Sequence, residues 1–234
     1  MGFYTREKLY EAVSNGIPVE GEDLRSLDLT DLDLGGANLR GSDLRNSNLT
    51  GVNFEEAHLE RTSLDGAILK KTNFTGAFIS EVTLKDLNLS SCLLIRATAL
   101  ETRLVRVTLS DQNLTKVNLT GTTILHSTLK GLDLSDSILR KMNLLFCLVQ
   151  DCTLDGCDLS DSNLGLSHFI NTSLNRATLT NASFMASTIE GVRIRDSKLD
   201  RVDLTLLKAH NLDITGSTQN NVIMDEARIR GLTR

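Results

Sequence analysis

The sequence predicts an all-β solenoid, in which a chain of short sides winds around a narrow apolar core. Every fifth residue from Leu24 to Ile229 is apolar except Gln219, which gives 42 positions in one unbroken register. Neither the 3.6-residue period of a helix nor the two-residue period of a strand keeps a five-residue repeat on one side. The chain must therefore turn after every unit.

The other positions of the unit also fit inward packing followed by a tight turn. Two residues before each apolar position the side chain is usually small, as at Ala37, Ser42 and Ala177, so it also faces the core. Two residues after it, the unit has Gly in 11 cases and Asp or Asn in 12, and these residues tolerate a positive φ. The single proline, Pro18, precedes the repeat, as expected if backbone N–H groups bond between coils.

The composition indicates a soluble chain with a thin core. Hydrophobic residues make up 40% of the sequence but aromatic residues only 4%, so small aliphatic side chains must fill the interior. The 25 basic and 30 acidic residues are nearly balanced, which favours neither direct nucleic-acid binding nor attraction to an anionic membrane. No apolar run approaches the ~18 residues of a membrane span, and we expect a cytoplasmic protein.

The repeating units resemble a known family. Ala37-Asn38-Leu39-Arg40-Gly41 and Cys157-Asp158-Leu159-Ser160-Asp161 are similar to the A(D/N)LXX signature of pentapeptide-repeat proteins, and such units cover about nine-tenths of the chain. This resemblance implies a right-handed quadrilateral β-helix with one unit per side and 20 residues per coil. Residues 24–229 would then form about ten coils, a rod roughly 50 Å long at the ~4.8 Å spacing of strands.

The N-terminal segment predicts a short helix that covers the first coil. Thr5 can act as its N-cap, and Leu9, Ala12 and Val13 share one helical face. Gly16 supplies a stop signal after them. A solenoid needs such a cap because its terminal coil leaves the core uncovered.

Three regions follow from these patterns. We assign residues 1–20 to the capping helix and its lead-in, 21–231 to the pentapeptide-repeat β-helix and 232–234 to a C-terminal tail. Residues 220–234 contain no comparable amphipathic helix, so we expect an exposed edge at that end.

The cysteine and histidine residues do not form the pattern of a catalytic or metal-binding site. All four cysteines occupy the small inward position, and their spacing matches no common zinc arrangement; they are Cys92, Cys147, Cys152 and Cys157. The histidines all take outward positions, and only the last two share a face, about 10 Å apart; they are His58, His126, His168 and His210. We therefore predict no catalytic, cofactor-binding or metal-binding residue and no small-molecule substrate.

One group of outward residues predicts a binding surface. Arranged in columns of 20, the sequence puts Gly165 and Ala186 in two adjacent lines with seven larger apolar residues, which we predict to form a protein-interaction site: Val105, Leu125, Leu145, Phe146, Leu166, Met185 and Leu206. Contiguous apolar exposure usually marks association. The alternative is that a β surface simply tolerates apolar residues of high strand propensity, and smaller apolar groups do occur elsewhere, as at Leu93 and Ile95.

These observations favour a non-catalytic adaptor, which would bind a protein partner or form a homodimer through the apolar face, the C-terminal edge or both. The family resemblance also implies an accessory role in a bacterial secretion system. The alternative that it implies is a DNA mimic that binds a type II topoisomerase and protects gyrase. Asp151, Asp155, Asp158 and Asp161 crowd one coil, although basic residues such as Arg140 interrupt the acidic field.

Overall fold

The coil is defined by pairing between residues that are 20 apart. A computed structural model describes residues 4–234 and shows a right-handed β-solenoid, which confirms the predicted fold class. Asp23 pairs with Asp43 in parallel and Asp43 with Ser63, and the same column continues in strands and bridges every 20 residues from Thr83 to Ile223. One unit thus forms one side of a coil, and four units return the chain above its starting point.

Helix α1, Arg6–Ser14, covers the first coil as predicted. The side chain of Thr5 caps it by accepting a hydrogen bond from the Lys8 amide at 3.3 Å. Leu9 is fully buried and Ala12 nearly so, because this face of the helix closes the apolar core.

The continuous strands lie on two adjacent sides of the solenoid. Parallel sheets of order β1-β2-β4-β6 and β11-β10-β9-β8-β7-β5-β3 form these sides, whereas isolated bridges join the coils elsewhere. The strands are β1 Thr83–Lys85, β2 Arg103–Val105, β3 Thr108–Ser110, β4 Thr123–Leu125, β5 Thr128–Lys130, β6 Asn143–Leu145, β7 Leu148–Gln150, β8 His168–Ile170, β9 Thr188–Glu190, β10 Lys208–Asp213 and β11 Arg228–Thr233.

The predicted C-terminal boundary is too early. Strand β11 extends to Thr233, with Leu232 opposite Leu212 and Thr233 opposite Asp213. Residues 232 and 233 therefore belong to the ladder and not to a tail. The inward residues of this last coil are only partly buried, so within residues 4–234 the core is less well covered at this end; they are Val222, Met224, Ala227, Ile229 and Leu232.

The corners of the coil have a left-handed backbone, with Ser91 as the exception. The Ala37 amide donates to the Leu34 carbonyl oxygen at 3.1 Å across the corner, and Gly36, the second residue between them, has a φ of 66°. The same position recurs with a positive φ from corner to corner, for example at Asp31 and Asn46. The frequent Gly, Asp and Asn of the sequence therefore reflect a backbone requirement.

Leucine side chains fill most of the interior, and two pairs of phenylalanine rings interrupt them. The Phe54 and Phe74 rings stack with centroids 5.6 Å apart, and Phe169 meets Phe184 edge-on at 5.5 Å. Between the two pairs lies an apolar cavity of about 80 Å³, lined by residues from Ile79 to Leu174.

Buried hydroxyl groups at the small inward position connect one coil to the next. Ser162 Oγ donates to the Leu139 carbonyl oxygen at 2.8 Å and accepts from the Met142 amide at 3.0 Å. Hydrogen bonding of this kind satisfies backbone groups at the corner of the preceding coil, where an unpaired buried group would be costly.

The cysteine thiols take the same place as these hydroxyls. All four are buried and free, and Cys157 Sγ lies 2.9 Å from the Leu134 carbonyl oxygen. Burial raises the pKa of Cys92 and of Cys157 to about 12, and that of Cys147 to about 11. The thiols are therefore protonated at neutral pH and serve as packing groups.

Leu114→Asp should destabilise the rod by about 3 kcal/mol or more, because Leu114 is buried and its replacement would place an unpaired charge in the core. The control is Thr115→Asp at the next, outward position, which should change the free energy of unfolding by at most about 0.5 kcal/mol. Urea unfolding followed by circular dichroism measures both. Equal stability of the two variants would contradict the inward register.

The four native thiols should resist a bulky maleimide in the folded protein and react fully in denaturant, because burial keeps them protonated and inaccessible. Lys116→Cys, at an exposed corner, provides a matched accessible thiol that should react rapidly. Mass spectrometry of the labelled chain counts the modified sites. Rapid native labelling at Cys152 would contradict its inward position.

Candidate protein-interaction surface

The first predicted column lies along the side formed by β1, β2, β4 and β6. Val105 stands beside Leu125, and Leu125 beside Leu145, in the parallel register of these strands. All three side chains are half-buried. Met185 continues the column and is 45% exposed, so this line presents apolar surface over several coils.

The second column occupies the neighbouring corner and is more exposed. Phe146 is 51% exposed, Leu166 47% and Leu206 44%. The structure thus places all seven predicted residues on one side of the rod. Together they form the apolar stripe: Val105, Leu125, Leu145, Phe146, Leu166, Met185 and Leu206.

Two features of the stripe were missed by sequence reasoning. The His126 ring stacks on Phe146 with centroids 4.9 Å apart and planes at 10°, so the histidine extends the stripe by one coil towards the N-terminal end of the rod. Gly165 is buried, and a Cβ atom there would lie 2.8 Å from the Met185 carbonyl oxygen. The first column therefore has a hollow between Leu145 and Met185. The 20-residue spacing could have assigned His126 to the column, but not its stacking.

The second column places apolar side chains where the backbone disfavours them. Among the non-glycine residues with positive φ in residues 4–234, the four apolar ones all lie in this column: Phe146, Leu166, Ala186 and Leu206. At the other three corners the same position has only Gly or polar and charged residues. A left-handed conformation costs an ordinary side chain roughly 1–2 kcal/mol. High strand propensity does not explain residues that have left the strand conformation.

Charges of opposite sign lie at the two ends of the stripe. Lys85, Arg103 and Arg106 lie towards the N-terminal end of the side, and Asp203 and Asp225 towards the C-terminal end. Arg106 pairs with Asp86 at 2.5 Å and so lowers the pKa of that carboxyl group. Within the described chain, none of the ion pairs contains Lys85, Arg103, Asp203 or Asp225.

The other exposed apolar residues form smaller groups. Leu93 and Ile95 are exposed together on a different side of a single coil, and Ile138 lies apart from them. Phe78 is covered on one face by the His58 ring at a centroid distance of 4.7 Å. None of these groups matches the length of the apolar stripe.

The acidic residues of the candidate DNA-mimic coil point to three different sides. Asp151, Asp155 and Asp161 accept hydrogen bonds from side chains of the next coil, and Arg140 pairs with Asp158 at 2.5 Å. Burial raises the pKa of Asp158, but hydrogen bonds from Ser160 and the nearby Arg140 outweigh it and hold that pKa below its usual range. The four carboxylates therefore do not form one anionic face.

The histidines remain separate from one another. His168 Nε2 lies 3.3 Å from Glu190, and His58 Nδ1 lies 3.3 Å from Glu60. Among residues 4–234 no group of His, Cys, Asp and Glu side chains is arranged to hold a metal ion. In the same range, no helix has both the length and the apolar character needed to cross a membrane.

Solved structures with similarity to this chain include several repeat proteins. HetL from the cyanobacterium Nostoc sp. strain PCC 7120, involved in heterocyst differentiation regulation, is 23% identical with a TM-score of 0.37, over 98% of this chain and 96% of its own. QnrB1, a plasmid-mediated fluoroquinolone resistance protein, is 12% identical with a TM-score of 0.35, over 65% and 92%. A thylakoid-lumen protein of Arabidopsis thaliana is 21% identical with a TM-score of 0.28, over 60% and 74%.

Comparison with curated proteins finds no match. The family described as pentapeptide repeats (8 copies) matches residues 20–46, 47–86, 102–140, 147–185 and 167–205, which together span more than half of the chain. The matched segments cover most of the chain between Asp23 and Asp203, which forms the inter-coil ladder. This chain belongs to the pentapeptide repeat family.

Proposed function

We propose that this repeat protein is a non-catalytic adaptor, a stiff rod whose apolar stripe binds a protein surface. One observation carries the proposal: among residues 4–234, the apolar non-glycine residues with left-handed backbone are confined to one column of one corner. Gly, Asp or Asn would satisfy that corner at lower cost, as they do elsewhere in the rod. The fold therefore does not require apolar residues at this corner, and their presence is explained by what their side chains bind.

The rod geometry supports binding because it fixes the stripe in advance. The inward neighbours of the stripe, such as Leu144 and Phe184, are buried, and the ladder holds each coil to the next. A rigid surface loses little conformational freedom when it binds, which lowers the free-energy cost of association.

The size of the stripe limits what it can do alone. Two columns over five coils cover about 24 Å by 10 Å. Burial of some 240 Å² of apolar surface provides about 6 kcal/mol before the cost of association is subtracted. A partner must therefore also contact the charged ends of this side, or the partly buried last coil around Met224 and Ile229, which we propose as a second contact.

DNA mimicry is supported less well by the same structure. A mimic needs ordered anionic groups in place of phosphates. Here the acidic residues of the central coil lie on three sides, and Arg140 neutralises Asp158. Their hydrogen bonds within the rod account for them without a partner.

The double substitution Leu145→Glu/Phe146→Glu should abolish binding through the stripe, because two carboxylates would be desolvated without partners at its centre. Folding should persist, since both residues point outward. Light-scattering mass reports self-association, and co-purification reports binding of a foreign protein. Melting temperature and circular dichroism report the fold.

A matched control is Thr115→Glu/Lys116→Gln, which makes the same change in net charge at the equivalent positions of another side. The control should retain every association of the parent. If both variants keep the parent's mass and the parent's co-purifying proteins in equal yield, the stripe is not a binding surface and the proposed function is wrong.

A further inference from the structure

We infer that the occupant of the apolar stripe is a second copy of this chain, packed side by side in the antiparallel direction. The inference rests on the proposed function and adds the identity and orientation of the partner. It follows from the pattern of side chains along the stripe, which is complementary to itself when the order of coils is reversed.

The symmetry of such a dimer is simple. A two-fold axis that lies between the rods and crosses them at right angles places every column opposite the same column of the second copy. It also reverses the coils. In the favoured register, the coil that contains Leu145 lies opposite the coil that contains Gly165 of the second copy.

The apolar residues of one copy then meet apolar residues or the hollow of the other. Leu145 faces the hollow at Gly165, where the backbone has no room for a side chain. Phe146 faces Leu166, and Leu125 faces Met185. Each contact occurs twice, because the axis relates the two rods.

The charged residues at the ends of the stripe are matched by the same operation. Arg103 comes opposite Asp203, and Lys85 opposite Asp225. The intramolecular ion pairs of the described chain leave these four side chains available. Opposite charges therefore flank both ends of the apolar contact.

The corner column on the other edge of this side is also complementary. Lys141 comes opposite Asp161, and Glu101 opposite Arg201, and all four are exposed. Asn181 holds two of them in place, because it donates to Asp161 at 2.7 Å and accepts from Arg201 Nε at 2.6 Å.

Neighbouring registers are less favourable. A shift by one coil in one direction puts Lys141 opposite Lys141, and a shift in the other direction puts Asp161 opposite Asp161. In the favoured register Asp86 and Glu226 face each other, but Asp86 is already bound by Arg106. Like charges in direct opposition suppress the wrong arrangements.

The expected interface is small. From Lys85 to Asp225 the side spans seven coil steps, about 34 Å, and one five-residue unit is about 16 Å wide. This gives about 500 Å² per copy and 1,000 Å² in total, at the lower limit for a specific interface. The dimer should therefore be reversible, concentration-dependent and weakened by salt.

Charge reversal in trans tests the antiparallel register. In Arg103→Glu the homodimer would twice place the new carboxylate opposite Asp203, and in Asp203→Arg it would twice place the new guanidinium opposite Arg103. Each variant alone should dimerise about tenfold or more weakly than the parent in sedimentation at low salt. An equimolar mixture should recover dimers. In the mixed dimer the carboxylate introduced at position 103 of one variant lies opposite the guanidinium introduced at position 203 of the other. The native Arg103 and the native Asp203 form the second contact, so both contacts join opposite charges.

The double variant Arg103→Glu/Asp203→Arg should dimerise as the parent does, and Lys130→Glu on the adjacent side should leave dimerisation unchanged. A parent that stays monomeric up to millimolar concentration overturns the inference. So does a dimer that the single reversals leave intact or that the double reversal fails to restore. Loss of that dimer in Leu145→Glu/Phe146→Glu would still support the stripe as a binding surface, so the two proposals fail separately.

Discussion

The backbone ladder between coils is the constraint on which the rest of this structure depends. The Leu44 amide donates to the Ser63 carbonyl oxygen at 2.8 Å, and the Asp43 amide donates to the Glu22 carbonyl oxygen at 2.9 Å. Repeated around each coil, these bonds fix the step at 20 residues. A step of this length places a left-handed residue at nearly every corner and keeps each outward position in a straight column.

The ladder assigns stability and surface properties to different positions of the repeat. Inward residues such as Leu144 and buried hydroxyls such as Ser162 maintain the rod, whereas the two positions after each inward residue are free to vary. Where apolar residues occupy those free positions at a conformational cost, as Phe146 and Leu166 do, a role outside the fold is the simplest explanation.

The sequence predicts most of the fold, because the residue types themselves repeat with a period of five. Thr5, Leu9 and the inward cysteines lie where the pattern puts them. The pattern does not contain backbone angles or side-chain packing, so it missed the left-handed column, the His126 stack and the hollow at Gly165. It also assigned 232–234 to a tail, since parallel pairing with the previous coil is not a local property.

Deletion of one unit tests most directly whether the 20-residue register creates the binding surface. Removing 152–156 should preserve a β-rich rod but turn all later coils by one side, which separates Leu145 from Leu166. Removing 62–66, a unit with the same Leu-Asp-Gly ending, leaves the stripe whole. The account predicts that both variants fold and that only the first loses association by light scattering. Equal association in the two variants, or equal loss, would contradict it.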